Sequence, residues 1–404
     1  MIRMMRLRTI DDMGEAKKEI ERIGAGKKGI EIMAPKAVYR TIKIDSLDNR
    51  MANIIKQEML SIGGEAALSK DSLMSDSKIT DVLLMGTMKQ YQILMKKLRE
   101  QSFNLPNIAD EIKNILENID NFPAAIKFKN YSFDWSRRTY IMGILNITPD
   151  SFSGDGLLGN TEDIVEIARN MVRNGADIID IGGESTRPGA EPVSIDEELN
   201  RVIPVIKRIS KIKDLDIPIS IDTYKPEVAK KAIKSGASIV NDINGLRSEG
   251  MAEIVAKEDV PVVIMHMQGT PKDMQRNPTY DSVVEDIMKF FKRQIDYAVD
   301  MGVDRNRIIL DPGIGFGKTT EHNLEIINRL SEFKSMGLPI LLGPSRKSFI
   351  GNILNLPVTE RLEGTIAAIT VGIINGANIV RVHDVKEISR AARIADAIKM
   401  TRYS

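Results

Sequence analysis

From Tyr140 onward, short apolar and β-branched runs alternate with segments whose apolar residues recur at helical spacing, and the alternation repeats eight times. The runs are TYIMGILNI, ADIIDIGG, IPISID, SIVND, VPVVIMHM, RIILDPG, PILLGPS and NIVRVHD. Runs apolar on both faces are those of a parallel sheet covered by helices. The intervening helices are predicted to begin near Thr161, Asp196, Pro226, Glu249, Asp281, His322, Thr359 and Val385. Acidic residues follow Thr161, and Pro226 suits a first helical turn. Gly-Ala pairs at Gly175, Gly236 and Gly376 close three helices just ahead of a strand, as tight αβ turns require. Eight such units predict an α/β fold, a (β/α)8 TIM barrel spanning 136–404.

Upstream the pattern differs. Residues 1–36 read as a polar helix and a loose linker containing GAGKKG, and 37–135 as a small α/β accessory or oligomer-contact domain. Within it VYRTIKI is a strand, Leu47 to Ser61 a helix stopped by Gly63-Gly64, and Ala66 to Leu68 and VLLMG two further strands. A helix follows from about Lys89 to Gln101. This region carries no catalytic constellation.

Composition narrows the chemistry. The 404 residues carry 57 Lys+Arg against 56 Asp+Glu, a net charge of +1, which argues against a nucleic-acid or anionic-membrane partner. The absence of cysteine excludes disulfides, thiolate zinc sites, iron–sulfur clusters and thiol nucleophiles. With only His266, His322 and His383 present, any metal is expected to be a hard cation on oxygen ligands. The N-terminus turns acidic before any apolar run, and the stretch from Glu363 to Arg381 is too interrupted for a membrane span. A soluble, cytoplasmic protein is expected.

Working groups of such barrels lie at the C-terminal ends of the strands. Here those ends supply Asn146, Asp222, Asn241-Asp242, His266, Asp311, Ser345-Arg346-Lys347 and Arg381-Val382-His383-Asp384, with GGESTRPGAEP after strand two. Arg381 and His383 alternate along their strand and so share a face. GIGFGKT is one residue short of a P-loop and fits no dinucleotide fingerprint, so it reads as a glycine turn presenting Phe316. His266 reads as a buried structural histidine, and Asp311 alone would pass for a turn aspartate ahead of Pro312.

The motifs ILNITPDSFSGDG, IGGESTRPGAEPVS, SIDTYKP, IVNDING, LDPGIGFGK, GPSRKSFIG and RVHDV stand in one order, and together they resemble the dihydropteroate synthases from Tyr140 to Ala397. The resemblance implies condensation of 6-hydroxymethyl-7,8-dihydropterin diphosphate with p-aminobenzoate, or a modified aminobenzoate, releasing diphosphate. It assigns Asp222, Asn241, Asp311, Lys347 and Met265 to the pterin. It assigns Asn146, Arg381 and His383 to the diphosphate, with Asn146 also on Mg2+. Thr186, Arg187, Pro188, Phe316 and Ser345 would line the aminobenzoate side, and Arg187 and Lys347 join Asn146, Arg381 and His383 as catalytic groups. A homodimer with small-molecule substrates is expected. Loops 148–159 and 185–192 are long enough to act as lids over a reactive cation. The alternatives are a pterin-dependent methyltransferase domain, which has no diphosphate to expel, and a non-catalytic pterin-binding protein.

Overall fold

A computed structural model describes residues 4–73, 78–147, 161–185 and 191–401. The chain divides into two compact units, Met1–Asn121 with Met400–Ser404, and Phe122–Lys399.

In the first unit, α1 (Met13–Arg22) and α2 (Lys27–Ala37) precede β1 (Tyr39–Asp48), α3 (Asn49–Ser61), β2 (Glu65–Leu68), β3 (Ile79–Thr87), α4 (Met88–Arg99) and α5 (Leu105–Asp120). The strands form an antiparallel sheet in the order β1-β3-β2. Ile42, Val82, Leu84 and Ala66 from the sheet, and Ile55, Met59, Tyr91, Leu94, Leu98 and Ile112 from the helices, make one buried core. Thr87 opens α4 with a reciprocal capping box to Gln90. Two helices go beyond the sequence expectation. The linker GAGKKG begins α2, with Gly26 as its N-cap, and α5 follows Asn104 with Pro106 in its first turn.

The second unit opens with a hairpin, β4 (Ile126–Phe128) and β5 (Tyr131–Phe133), followed by β6 (Tyr140–Asn146), α6 (Thr161–Arg173), β7 (Ile178–Gly182), α7 (Ile195–Ile209), β8 (Ile219–Asp222), α8 (Pro226–Ser235), β9 (Ile239–Asp242), α9 (Met251–Glu258), β10 (Val262–Met265), α10 (Val283–Asp300), β11 (Ile308–Asp311), α11 (Thr320–Asn328), β12 (Leu341–Leu342), α12 (Ser348–Leu354), α13 (Leu362–Ile374), β13 (Ile379–Val382) and α14 (Val385–Met400). The eight strands β6 to β13 pair in parallel, and a bridge between Leu310 and Ile340 closes the ring. The barrel is the predicted one. Gly175, Gly236 and Gly376 hold φ of +103°, +127° and +116° at the three expected helix ends. In each, the alanine that follows donates back to a carbonyl five residues earlier, as from Ala176 to Met171. No described helix is long and apolar enough to cross a membrane.

The unit boundary lies at Asn121/Phe122, and 122–135 belongs with the barrel instead of the accessory domain expected to reach 135. The reason is apolar burial. Ile126, Phe128, Phe133 and Trp135 pack with Tyr140, Met142, Ile178, Ile239, Val263, Ile309, Leu341 and Ile379, the inward residues at the N-terminal end of the barrel. Phe133 meets Tyr140 edge-on at 4.8 Å, and the Trp135 indole N–H donates to Ala124 O at 2.9 Å. The hairpin is therefore a dry plug under the barrel. Phe133→Ala is expected to cost about 3 kcal/mol, read as a lower midpoint in denaturant unfolding followed by fluorescence of Trp135, the sole tryptophan. An unchanged midpoint would remove the plug from the stability of the barrel.

Candidate active site

Side chains alternate along each barrel strand, so the apolar inward layer at the bottom is followed two residues later by a second inward layer. That second layer is polar on β7, β9, β11 and β13. Asp180 follows Ile178, Asn241 follows Ile239, Asp311 follows Ile309 and Arg381 follows Ile379, with Asp222 two residues beyond Ser220. All four acidic and amide residues are buried, Asp180 completely.

Arg381 joins them. Its Nε donates to Asp180 Oδ2 at 2.6 Å and its Nη2 to Asp222 Oδ2 at 2.6 Å. Asn241 Nδ2 donates to the same Asp180 oxygen at 3.0 Å. The other oxygens, Asp180 Oδ1 and Asp222 Oδ1, are buried without a hydrogen-bond partner, as is Ser220 Oγ. Such atoms are costly unless a ligand or water meets them. Burial pushes Asp222 up from the ordinary carboxylate range while Arg381 pulls it down. The guanidinium stays well above its usual value despite burial, because Asp180 and Asp222 oppose that burial, and the 2.6 Å contacts are those of ionised partners.

Asp311 has two jobs. Its Oδ1 accepts from Gly313 N–H at 2.7 Å, the turn role that an isolated Asp-Pro-Gly suggests, while burial raises its carboxyl to about 6. Lys347 is half-buried, with its ammonium 4.0 Å from the centre of the Phe316 ring. Burial and the nearby Arg381 lower this amine to about 8. Phe316 is held there by the glycine turn. Gly313, Gly315 and Gly317 all have positive φ, and a Cβ on Gly313 would stand 1.9 Å from His266 O. Met265 packs with Phe316, Met267, Met274 and Ile243 in a small apolar cluster beside the polar layer.

On the last strands, the Ser345 hydroxyl accepts from His383 N–H at 3.2 Å and shares a hydrogen bond with His383 Nδ1 at 3.0 Å. Burial, then Arg381, lowers the imidazole to about 4, so it is neutral at pH 7 and serves as a hydrogen-bonding group, not a cation. Arg346 turns away to pair with Asp384, its Nε 3.0 Å from Oδ2. Asn146, half-buried at the end of β6, has its Oδ1 close to Gly182, on the side of Asp222. Among the described residues no three His, Asp or Glu groups converge as a metal cage. Thr186, Arg187 and Pro188 lie outside the described residues, as do 148–159 and most of 185–192.

Three groups escaped the sequence reading. Asp180 lies mid-strand in IIDIG, where only its inward parity with Ile178 betrays it. Lys318 and His266 form a buried pair, Nζ to Nδ1 at 3.1 Å. Lys225 links Glu184 Oε2 at 2.5 Å, Val193 O at 2.6 Å and Glu198 Oε2 at 2.7 Å, tying together the two described ends of the segment after β7.

The sequence and the fold that carry this buried ring match known proteins. Residues 142–383 match the pterin binding enzyme family model. The chain belongs to the dihydropteroate synthases of that family. The dihydropteroate synthase of Clostridium beijerinckii is 52% identical over 275 residues, which cover 68% of this chain and 99% of that protein. The probable bifunctional folylpolyglutamate synthase/dihydropteroate synthase of Halobacterium salinarum is 41% identical over 391 residues, 96% of this chain but 46% of the relative. That match takes in the N-terminal unit. Among solved structures, the Yersinia pestis dihydropteroate synthase with a sulfonamide drug complex superimposes with a TM-score of 0.65 at 43% identity, covering 70% of this chain and all of that one.

Proposed function

We propose that this chain condenses 6-hydroxymethyl-7,8-dihydropterin diphosphate with p-aminobenzoate and releases diphosphate, a transferase step of folate biosynthesis. The observation that carries the reading is the polar layer: a buried Asp222 oxygen without a partner, Asn241 and Asp311 beside it, and two cations over a dry floor. The amino-pyrimidinone edge of a pterin offers N–H donors to Asp222 and Asp311 and mixed partners to Asn241, while Lys347 donates to its carbonyl oxygen. Met265 packs against the ring. Asp180 touches none of these roles directly and instead orients Asn241 and Arg381.

In the reaction the C–O bond between the methylene carbon and the diphosphate breaks, and its electron pair leaves with the diphosphate. The dihydropterin ring delocalises the resulting cation. The arylamine lone pair forms the C–N bond, and the nitrogen then releases a proton to solvent. An arylamine is already neutral at pH 7, so catalysis rests on positioning and on stabilising charge at the leaving oxygens. Arg381 commits Nε and Nη2 to carboxylates, which leaves Nη1 for a phosphate oxygen. Neutral His383 and the Asn146 amide add hydrogen bonds. Mg2+ fits this donor set, because a hard cation that keeps its waters and rides on substrate phosphates needs only a protein oxygen such as Asn146 Oδ1. When bound, it neutralises charge on the departing diphosphate. Phe316 and Ser345 border the acceptor side, and the Ser345–His383 hydrogen bond joins that side to the diphosphate side.

The near-balance of charge supports small-molecule substrates over a nucleic-acid partner. A homodimer is supported by the outer faces of α11, α12 and α13. Exposed Leu324, Ile353, Leu354 and Val371 line an apolar groove of about 480 Å3 there, a face that a second copy of the chain would cover.

The direct test combines the protein, the pterin diphosphate, Mg2+ and p-aminobenzoate and measures diphosphate and condensed product. The two are expected in equal amounts, and diphosphate without product would refute the transferase reading. Pterin affinity is expected to weaken as pH rises through about 8, where Lys347 loses its proton. Lys347→Met should flatten that limb in calorimetric titrations, and a limb unchanged by the substitution would take Lys347 out of pterin recognition. Val371→Asp, away from the polar layer, is expected to shift the light-scattering mass from dimer to monomer. A dimeric variant would clear this face of the contact.

A further inference from the structure

One buried cation at the polar end of the barrel touches neither proposed substrate. Lys318 is 3% exposed and closes the glycine turn that carries Phe316. Its ammonium donates to Phe316 O at 2.9 Å and His266 O at 3.3 Å and meets His266 Nδ1 at 3.1 Å. Burial lowers the imidazole to about 2, so the ring is neutral and Nδ1 can accept. Burial lowers this amine to about 7, and in its ammonium form the three acceptors use all three protons, which leaves Lys318 nothing with which to bind a substrate.

The turn is pinned through its backbone groups. Its three glycines, at φ of +70°, +78° and +60°, carry no side chains that would pin it. Neutral groups tie the flanking peptides: Asn323 Oδ1 accepts from Gly315 N–H at 2.7 Å, Gln275 donates to Gly315 O at 2.8 Å, and the Tyr280 hydroxyl donates to Gly317 O at 2.7 Å. The carbonyl of Phe316 is held by the ammonium, which is anchored in turn to the end of β10. The ring on that same residue lies against the Lys347 ammonium at 4.0 Å. Displacing the Phe316 carbonyl therefore displaces the ring that separates the pterin-side lysine from the acceptor side.

We propose that Lys318 is a positioning residue for the acceptor: by clamping the backbone of Phe316 to His266, it fixes the Phe316 ring between the aminobenzoate and Lys347. The proposal rests on the reaction given above and on Phe316 bordering the acceptor. A purely structural lysine would lower stability without changing one substrate selectively, so kinetics separate the two roles.

The experiment is a double-substitution cycle on the full chain, with Lys318→Met, Phe316→Leu and the pair. Lys318→Met is expected to raise KM for p-aminobenzoate, by up to about 100-fold if the ring moves by about 1 Å, while pterin-diphosphate affinity stays near that of the unsubstituted protein. In the Phe316→Leu background the same substitution should add little further increase, because the clamp acts through that ring. Lys318→Gln, a neutral donor to the same carbonyls, should recover part of the loss and supplies the cycle if Lys318→Met does not fold. An unmoved KM in a folded variant, or effects that multiply in the double variant, overturns the proposal. Failure of both Lys318 variants to fold also overturns it, by assigning the residue to stability alone. Absence of turnover by the unsubstituted protein overturns the reaction and the clamp together, whereas turnover with an unmoved KM overturns the clamp alone.

Discussion

Arg381 lies between two buried carboxylates, and most of the site depends on that arrangement. Asp180 is wholly enclosed and Asp222 nearly so, and neither can remain ionised there without a cation. The guanidinium supplies one nitrogen to each at 2.6 Å. Removing one member of such a buried set costs about 3–5 kcal/mol, because the charge left behind has no partner. The pairing also cross-links strands. Arg381 stands on β13, Asp180 on β7 and Asp222 on β8, and Asn241 on β9 joins through Asp180. Four strands of the ring are thereby held in register at their functional ends by one network. The residues that would touch the pterin thus also hold the barrel mouth, and substitutions there combine loss of chemistry with loss of structure.

Below this layer the requirement is the opposite. A barrel open at its base would let water reach the carboxylates and weaken every contact above it. The hairpin residues Phe128, Phe133 and Trp135 supply the apolar closure. Their sequence, IKFKNYSFDW, alternates for three residues before a turn and five after it, at the short limit of what period alone separates from loop. For that reason the hairpin was not legible, and the domain boundary was expected about fourteen residues late. The barrel strands were legible because being apolar on both faces is hard to mimic, and their helix ends because only glycine holds the required φ cheaply. In the N-terminal unit, α2 was masked by its glycines and Pro35, which read as linker although tertiary packing of Ala34 and Pro35 holds the helix.

The candidate site divides along similar lines. Residues at strand ends, such as Asp222, Asp311 and Arg381, stand out in sequence because polar groups interrupt apolar runs. Asp180 stands two residues below that rim, inside a run otherwise apolar, and its importance follows from parity and from partners that are distant in sequence: Arg381 is 201 residues away. Protonation was equally hidden. His383 looks cationic beside Arg381 in RVHDV, yet the same burial and the same arginine push it to about 4 and keep it neutral. Lys318 closes a run already read as a glycine turn and not a phosphate loop, and its amine is spent on two carbonyls and an imidazole. In each case the side chain's identity was readable and its partner was not.

The opposing shifts inside the polar layer carry a consequence for binding. Burial drives Asp311 up to about 6 and Lys347 down to about 8, so each is biased toward its neutral form within the same small volume. Those shifts record hydration that the buried ions lack. In the proposed binding mode a pterin edge would supply what is missing to both at once, N–H groups to the carboxylates and a carbonyl oxygen to the ammonium. Bound in that way, pterin would favour the ionised forms, drawing Asp311 down and Lys347 up toward their ordinary values. Recognition and charge state are one coupled equilibrium, in which a ligand lacking either the donors or the acceptor leaves one buried charge unrelieved. Discrimination against near-isosteric heterocycles follows from that unpaired charge more than from shape.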